Sequence, residues 1–268
     1  MYKEELCEQS DEFIRNSSYN YINTETALSP QYVNMKLFQT PVFAFGDPAD
    51  ELYSCFKSYD IIGEHFMSPF EWLASAKTVI SFFLPYTDAI KSANSVDFEW
   101  PADEWLHGRY EGQMLVKELS LFIQKELIEA GYASVVPSTD QRFNLRYDEK
   151  NTTYQANWSE RHIAYVCGLG TFGLSKGIIT KKGTCGRLGS ILTECIFTKD
   201  IRPYSDVYEY CTMCGECITN CPASAISIEN GKDSVLCSKF LDKTRVKHAP
   251  RYGCGKCQVN IPCESKVP

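Results

Sequence analysis

The most apolar run in the chain is 78–84, Thr-Val-Ile-Ser-Phe-Phe-Leu, closed by Pro85. It is β-branched and aromatic, with almost no polar face. Such a run reads as a strand covered on both sides, not one that alternates between core and water. The longest helical pattern spans 103–130. Leu115, Leu119, Phe122, Ile123 and Leu127 share one face, and Gly131 stands where a helix end favours a residue with positive φ. Further helices are predicted over 4–14, over 69–76 with Pro69 at its start, and over 158–166. Further strands are predicted over 132–136, stopped by Pro137, and over 189–198. Helices and strands mix in this way as far as about residue 203. The remainder is loop-rich and crowded with cysteine, so the expectation is an α+β domain over 1–203 followed by a small domain over 204–268.

Composition changes this picture little. The 268 residues are 44% apolar and 23% charged, the balance of a folded globular protein. Charge is more informative. The net value is −7, yet residues 211–268 carry 8 Lys+Arg against 5 Asp+Glu, so the acidic excess lies upstream. A general nucleic-acid binder shows a basic excess instead. No run approaches the roughly 20 apolar residues of a membrane helix. The start, Met1-Tyr2-Lys3-Glu4-Glu5, lacks the basic-then-apolar pattern of a secretory signal, so the expected location is the cytoplasm, with no membrane partner.

Thirteen cysteines carry the chemistry. Cys7, Cys55, Cys167, Cys185 and Cys195 are scattered and read mostly as small core residues. The other eight crowd the C-terminal end. An odd count in a reducing compartment fits a disulfide framework poorly. Cys211-x2-Cys214-x2-Cys217-x3-Cys221-Pro222 is the bacterial ferredoxin run, in which three thiolates wrap one cubane and the fourth serves another. A second half is then required, and Cys237, Cys254, Cys257 and Cys263 supply it. The expected sets are Cys211, Cys214, Cys217 and Cys263 for one [4Fe-4S] cluster, and Cys221, Cys237, Cys254 and Cys257 for the other. Structural zinc is the alternative, since paired CxxC knuckles also bind it. Zinc sites rarely use three cysteines in consecutive x2 spacing followed by Cys-Pro.

Upstream, Gly168-Leu-Gly170-Thr-Phe-Gly173 matches the dinucleotide fingerprint GxGxxG in form. That fingerprint must open a helix to present its N-terminus to a pyrophosphate. The following residues, Ile178-Ile-Thr-Lys-Lys-Gly183-Thr, are too broken for one, so a tight turn with close backbone approach is expected instead.

These segments together resemble epoxyqueuosine reductase and its paralogues, which share features with reductive dehalogenases. The resemblance rests on Glu160-Arg161, on Gly168-Leu-Gly170 and Gly173, on Leu188-Gly189-x-Ile-Leu-x-Glu194, and on the eight cysteines with their sixteen-residue step from Cys221 to Cys237. It covers about 153–263 well and the earlier part weakly. It implies a nitroreductase-like α+β domain holding cobalamin, followed by a ferredoxin-like domain with two [4Fe-4S] clusters that feed electrons to cobalt. Gly168, Leu169, Gly170, Thr171, Phe172 and Gly173, with Gly189 and Ser190, are similar to segments lining the corrin pocket. No DxHxxG motif is present, so a base-off corrinoid without a histidine ligand is implied.

Three departures from the family pattern stand out. Tyr154 occupies the place of the family's acid and becomes the candidate proton donor. The last cysteine pair is Cys257-x5-Cys263, with Pro262 before the final cysteine. The chain ends at Pro268, without the helical-repeat extension that helps many members hold tRNA. With the acidic net charge, these features argue against tRNA and for a small-molecule substrate, with ferredoxin or flavodoxin as the low-potential donor. The chain is thus expected to be an oxidoreductase, probed against two alternatives: a non-catalytic electron carrier or corrinoid-reactivating protein, and a flavin-dependent reductase. Arg161 and Glu160 could equally serve helix-terminus electrostatics. His162 is expected to be a core or rim residue. His107 and Arg109 are expected to touch a cofactor tail or to cap a helix face.

Overall fold

A computed structural model of the chain describes residues 1–148 and 153–268. Its centre is a four-stranded antiparallel sheet built from Val42–Gly46, Thr78–Pro85, Gly186–Thr193 and Ser134–Val135, in that spatial order. The apolar run is the second strand, and all eight of its residues are buried. It lies between Val42–Gly46 and Gly186–Thr193, with Val79 opposite Leu192 and Ile80 opposite Ile191.

Its uniform apolarity has a simple cause, because both faces of the sheet are covered. Ile80, Phe82 and Leu84 face a core shared with the helices Lys3–Asn16 and Asp103–Glu129, through Leu6, Ile14, Leu115, Leu119, Ile123 and Leu127. Val79 and Phe83 face the opposite core, made with the helix Glu160–Cys167 through Ile163, Ala164, Val166 and Cys167. Phe122 is only half-buried, stacked on Phe13 at 4.5 Å. Gly131 closes the long helix with φ +91.

Several elements differ from the sequence reading at their ends. The helix after Pro69 stops at Trp72, because Leu73 turns extended. The strand before Pro137 shrinks to Ser134–Val135. The strand expected over 189–198 starts three residues earlier and ends at Thr193. Beyond it, Cys195 and Phe197 remain buried in the core without ladder partners. The strand Val42–Gly46 was not anticipated. The glycine stretch opens no helix: Gly170–Phe172 pairs antiparallel with Ile178–Thr180 as a hairpin. A Cβ at Gly170 would stand 2.0 Å from the Ile179 carbonyl oxygen, so the approach of the two strands requires glycine there.

The C-terminal module contains a small hairpin, Ile226–Ser227 with Gly231–Lys232, and the helix Ser234–His248. Asp233 caps that helix by accepting from the Val235 and Leu236 amides, and Arg245, Lys247 and His248 occupy its last turn, where cations suit the helix dipole. The module is bound to the body along its length. Thr184 N–H donates to the Cys263 carbonyl at 2.9 Å, Asn94 Nδ2 to the Cys254 carbonyl at 3.0 Å, and Tyr210 N–H to Thr171 Oγ1 at 2.9 Å. Among the described residues, no helix is long and apolar enough to cross a membrane.

Candidate iron–sulfur sites and the adjoining cavity

The eight clustered cysteines converge on two cavities, four on each. Cys211, Cys214, Cys217 and Cys263 line the first, with Gly173, Leu174 and Ile179 beside them. Cys221, Cys237, Cys254 and Cys257 line the second, below Trp105. Local backbone explains how. Met213 and Gly215 both take positive φ, which coils 211–217 tightly enough to turn three sulfurs to one side. Gly255 takes φ +68 between Cys254 and Cys257, where a Cβ would fall 1.9 Å from the Trp105 ring. Cys263 arrives from the far end of the module and is fixed to the body through its carbonyl.

Burial pushes up Cys217 to about 11 and Cys263 to about 12 in the first set, and Cys254 to about 12 and Cys257 in the second, with neighbouring cysteines adding to the shift. A bound metal would ionise thiols so placed. Among the described residues, no group of three ligand-type side chains closes tightly enough on one point to hold a single ion. The sulfurs instead surround a space.

A third cavity of about 360 Å³ adjoins the second cysteine set. The two share Arg109, Gly186, Arg187 and Gln258 as a common wall. Phe83, Val116, Ile178 and Leu188 give the third cavity apolar surface. Gln113, Ser138, Glu160, Arg161 and Gln258 give it polar groups, and none of its described lining residues is histidine. Two polar atoms facing this region are buried without a partner, Glu160 Oε1 and Arg109 Nε.

Glu160 sits at the start of its helix. Its Oε2 accepts from Ser190 Oγ at 2.6 Å, and Ser190 in turn accepts from Trp158 Nε1 at 2.9 Å. Burial raises the carboxyl to about 7, only partly offset by the Ser190 hydrogen bond. The folded chain therefore binds a proton here that the unfolded chain releases between pH 4.5 and 7. Stability is full below that window and is lost as pH rises through it, by on the order of 3 kcal/mol. Glu160→Gln should remove this loss. The Tm of the cluster-loaded protein should fall between pH 5 and pH 7.5 for the wild type and change several degrees less for the variant. Equal pH dependence in the two would rule the account out.

The other anticipated residues fall as follows. Gly168 ends the helix Glu160–Cys167 with φ +94, and Leu169 is buried in the second core. The Gly170 amide donates to Tyr204 Oη, and Thr171 is buried. Phe172 packs near His162 and Tyr165, and Gly173 reaches the first cysteine cavity. Gly189 lies in the central sheet against Phe82, with Ser190 beside it on Glu160. Of the glycine-stretch residues, none lines the third cavity. Tyr154 lies in the strand Thr153–Ala156, opposite Tyr147, and its side chain lies outside the described residues.

His162 is enclosed by Phe56 and Phe172, with Nδ1 2.7 Å from Ser159 Oγ, and burial together with Arg161 depresses it to about 4, so it is neutral. His107 is fully buried and bound to Glu111, whereas Arg109 lines both adjoining cavities. Of the scattered cysteines, Cys167, Cys185 and Cys195 are buried core residues, Cys7 is half-buried and Cys55 is exposed. Lys232, Arg187, Gln113 and Gln258 were not singled out from sequence. They come from four separate segments, and only folding brings them to these walls.

A 4Fe-4S binding domain family matches residues 204–227. The chain is similar to the epoxyqueuosine reductase of Listeria monocytogenes, 30% identical over 114 residues, which is 39% of this chain and 29% of that enzyme. It thus spans under a third of the length of the curated relatives it matches. Its fold is similar to epoxyqueuosine reductase solved with a tRNA-Tyr epoxyqueuosine-modified stem loop, with TM-score 0.52 and 20% identity over 98% of this chain and 65% of that one. It is also similar to the catabolic reductive dehalogenase NpRdhA, with TM-score 0.55 and 15% identity over 84% of this chain and 30% of that one. The fold class is therefore a mixed helix–sheet body of the reductive dehalogenase type with a C-terminal ferredoxin-like 4Fe-4S domain. More particularly, the resemblance to epoxyqueuosine reductase holds in both sequence and fold.

One expectation needs correction. Acidic charge and the position of Pro268 argued against tRNA. A relative whose fold spans nearly all of this chain has been solved holding a tRNA stem loop, so those features do not exclude tRNA. Net charge sums over the whole surface, whereas tRNA contact depends on the local distribution of cations.

Proposed function

We propose that the protein is an iron–sulfur oxidoreductase that carries electrons through two [4Fe-4S] clusters to a corrinoid in the third cavity. The observation that carries this reading is the convergence of Cys211, Cys214, Cys217 and Cys263 on one cavity and of Cys221, Cys237, Cys254 and Cys257 on another, the second sharing a wall with the open cavity. Zinc, held by thiolates at about 2.3 Å, needs four sulfurs around a point, while a cubane needs them around a volume.

The third cavity suits a corrinoid in its chemistry. Apolar side chains offer surface for a macrocycle. Gln113, Gln258, Arg109 and Arg161 offer partners for its peripheral amides, and the orphaned Arg109 Nε is one unspent donor. With no histidine among the described lining residues, the fit is to a corrinoid without an imidazole ligand from the protein. When bound, a corrinoid supplies a strongly reducing, nucleophilic cobalt. The chain's own part is enclosure and proton supply. Glu160 holds a proton near neutral pH on that wall, and Tyr154 is a second candidate donor. The reducing equivalents would come from a low-potential ferredoxin or flavodoxin.

The test is anaerobic reconstitution followed by cobalamin addition. A shift of the visible spectrum to the base-off form, with a base-off Co(II) resonance, supports the reading. Retention of flavin instead, with no cobalamin bound, overturns it. Turnover would then be assayed on small-molecule substrates and on an epoxyqueuosine-containing stem loop alike.

A further inference from the structure

The two cysteine sets lie in different electrostatic surroundings. Among the described residues, no charged side chain lines the cavity of Cys211, Cys214, Cys217 and Cys263. The cavity of the second set is lined by Arg109, Arg187 and Lys232 and, among the described residues, by no carboxylate. Lys232 shares the cavity wall with Cys237 and Cys257. The pairing of Gly231 and Lys232 with Ser227 and Ile226 fixes its backbone there, and its ammonium is stabilised by the charge of those two thiolates. Arg109 is instead stacked on Tyr252 at 4.5 Å, and Arg187 is engaged by Gln113.

We propose that Lys232 is a positioning residue that raises the reduction potential of the inner cluster, the one held by Cys221, Cys237, Cys254 and Cys257, above that of the outer cluster, and so directs electrons inward. This rests on the two-cluster reading above. Reduction adds one negative charge to a thiolate-bound cubane. A cation fixed on the wall of the site stabilises the reduced form more than the oxidised form, and low local polarity magnifies the difference. In each transfer, a one-electron donor of the reduced ferredoxin or flavin class is oxidised and the outer cluster is reduced. The outer cluster is then reoxidised as the inner one takes the electron. No proton moves, because the ammonium keeps its charge throughout.

The test is a redox titration of the reconstituted full chain, followed by electron paramagnetic resonance. Iron and sulfide are counted first. Values far below about eight of each per chain would reject the two-cluster reading itself, before any potential is compared. With full loading, Lys232→Met should lower one midpoint and leave the other in place, and Lys232→Arg should restore it. A Lys232→Met change made together with Cys217→Ala and Cys263→Ala, which leave only the inner cluster, should show the same shift. Should Lys232→Met fail to assemble, Lys232→Gln is titrated in its place with the same expected result. Midpoints unmoved at full spin count, or a shift confined to the outer cluster, would overturn the proposal.

Discussion

Cys217→Ala combined with Cys263→Ala is expected to halve the iron and sulfide content, from about eight of each per chain to about four. Cys217→Ala combined with Cys221→Ala is expected to lower both further, because it takes a ligand from each cluster. The contrast is sharp because sequence distance and spatial grouping disagree. Cys217 and Cys221 are four residues apart yet face different cavities, while Cys217 and Cys263 are 46 apart and face the same one. If 211–221 held one cluster by itself, as a linear reading of four close cysteines suggests, the order of the two variants would reverse. Iron and sulfide analysis of the two proteins, each purified without oxygen, decides between these outcomes. The interlocking also bears on folding. Each cluster joins segments from both ends of the module, so chelation should unfold 204–268 as a unit, and the loss should appear as exposure of Trp105, which packs over Gly255.

The grouping of Cys211, Cys214 and Cys217 was legible in the sequence because ferredoxin spacing is a local geometric constraint: x2 steps, with positive φ at Met213 and Gly215, bring three sulfurs together. The central strand was legible for a similar reason, since a run such as Val79–Leu84 with no polar face has only one comfortable place in a covered sheet. What resisted reading was set by contacts across long separations. Glu160 looked like an ordinary helix-start acid. It becomes an acid titrating near neutrality because the fold removes its water, an effect that its one hydrogen bond, from Ser190 thirty residues on, only partly offsets. Lys232 carried no motif at all; a two-residue ladder sets it on the same cavity wall as Cys237. The glycine stretch shows the opposite case. Its need for close backbone approach is met at Gly170 by the Ile179 strand and Tyr204, partners that lie outside the stretch itself.

Arg251→Ala should cost about 3–5 kcal/mol, the range for breaking a buried ion pair by removing one partner. Arg251 reaches from the cysteine module into the body, where Nε donates to Glu111 Oε2 at 3.1 Å and Nη2 binds Glu111 Oε1 and the Thr26 carbonyl. His107 completes the arrangement. Its Nε2 accepts from the Leu28 amide at 3.2 Å, so Nδ1 carries the proton that it shares with Glu111 at 3.0 Å. Burial works against ionisation of Glu111, but the hydrogen bonds from His107 and Arg251 outweigh it and hold the carboxyl below its ordinary range. A depressed carboxyl stabilises the fold above its unfolded pKa and loses that contribution as pH falls through the folded value. The wild type and Arg251→Ala should therefore differ by roughly 10 °C in Tm at pH 7 and draw together in acid. Glu111→Gln added to Arg251→Ala should recover part of the loss, since it removes the stranded charge while keeping the shape. A Tm for Arg251→Ala within a degree or two of wild type at pH 7 would mean that water reaches Glu111 and that the pair does not hold the cysteine module to the long helix.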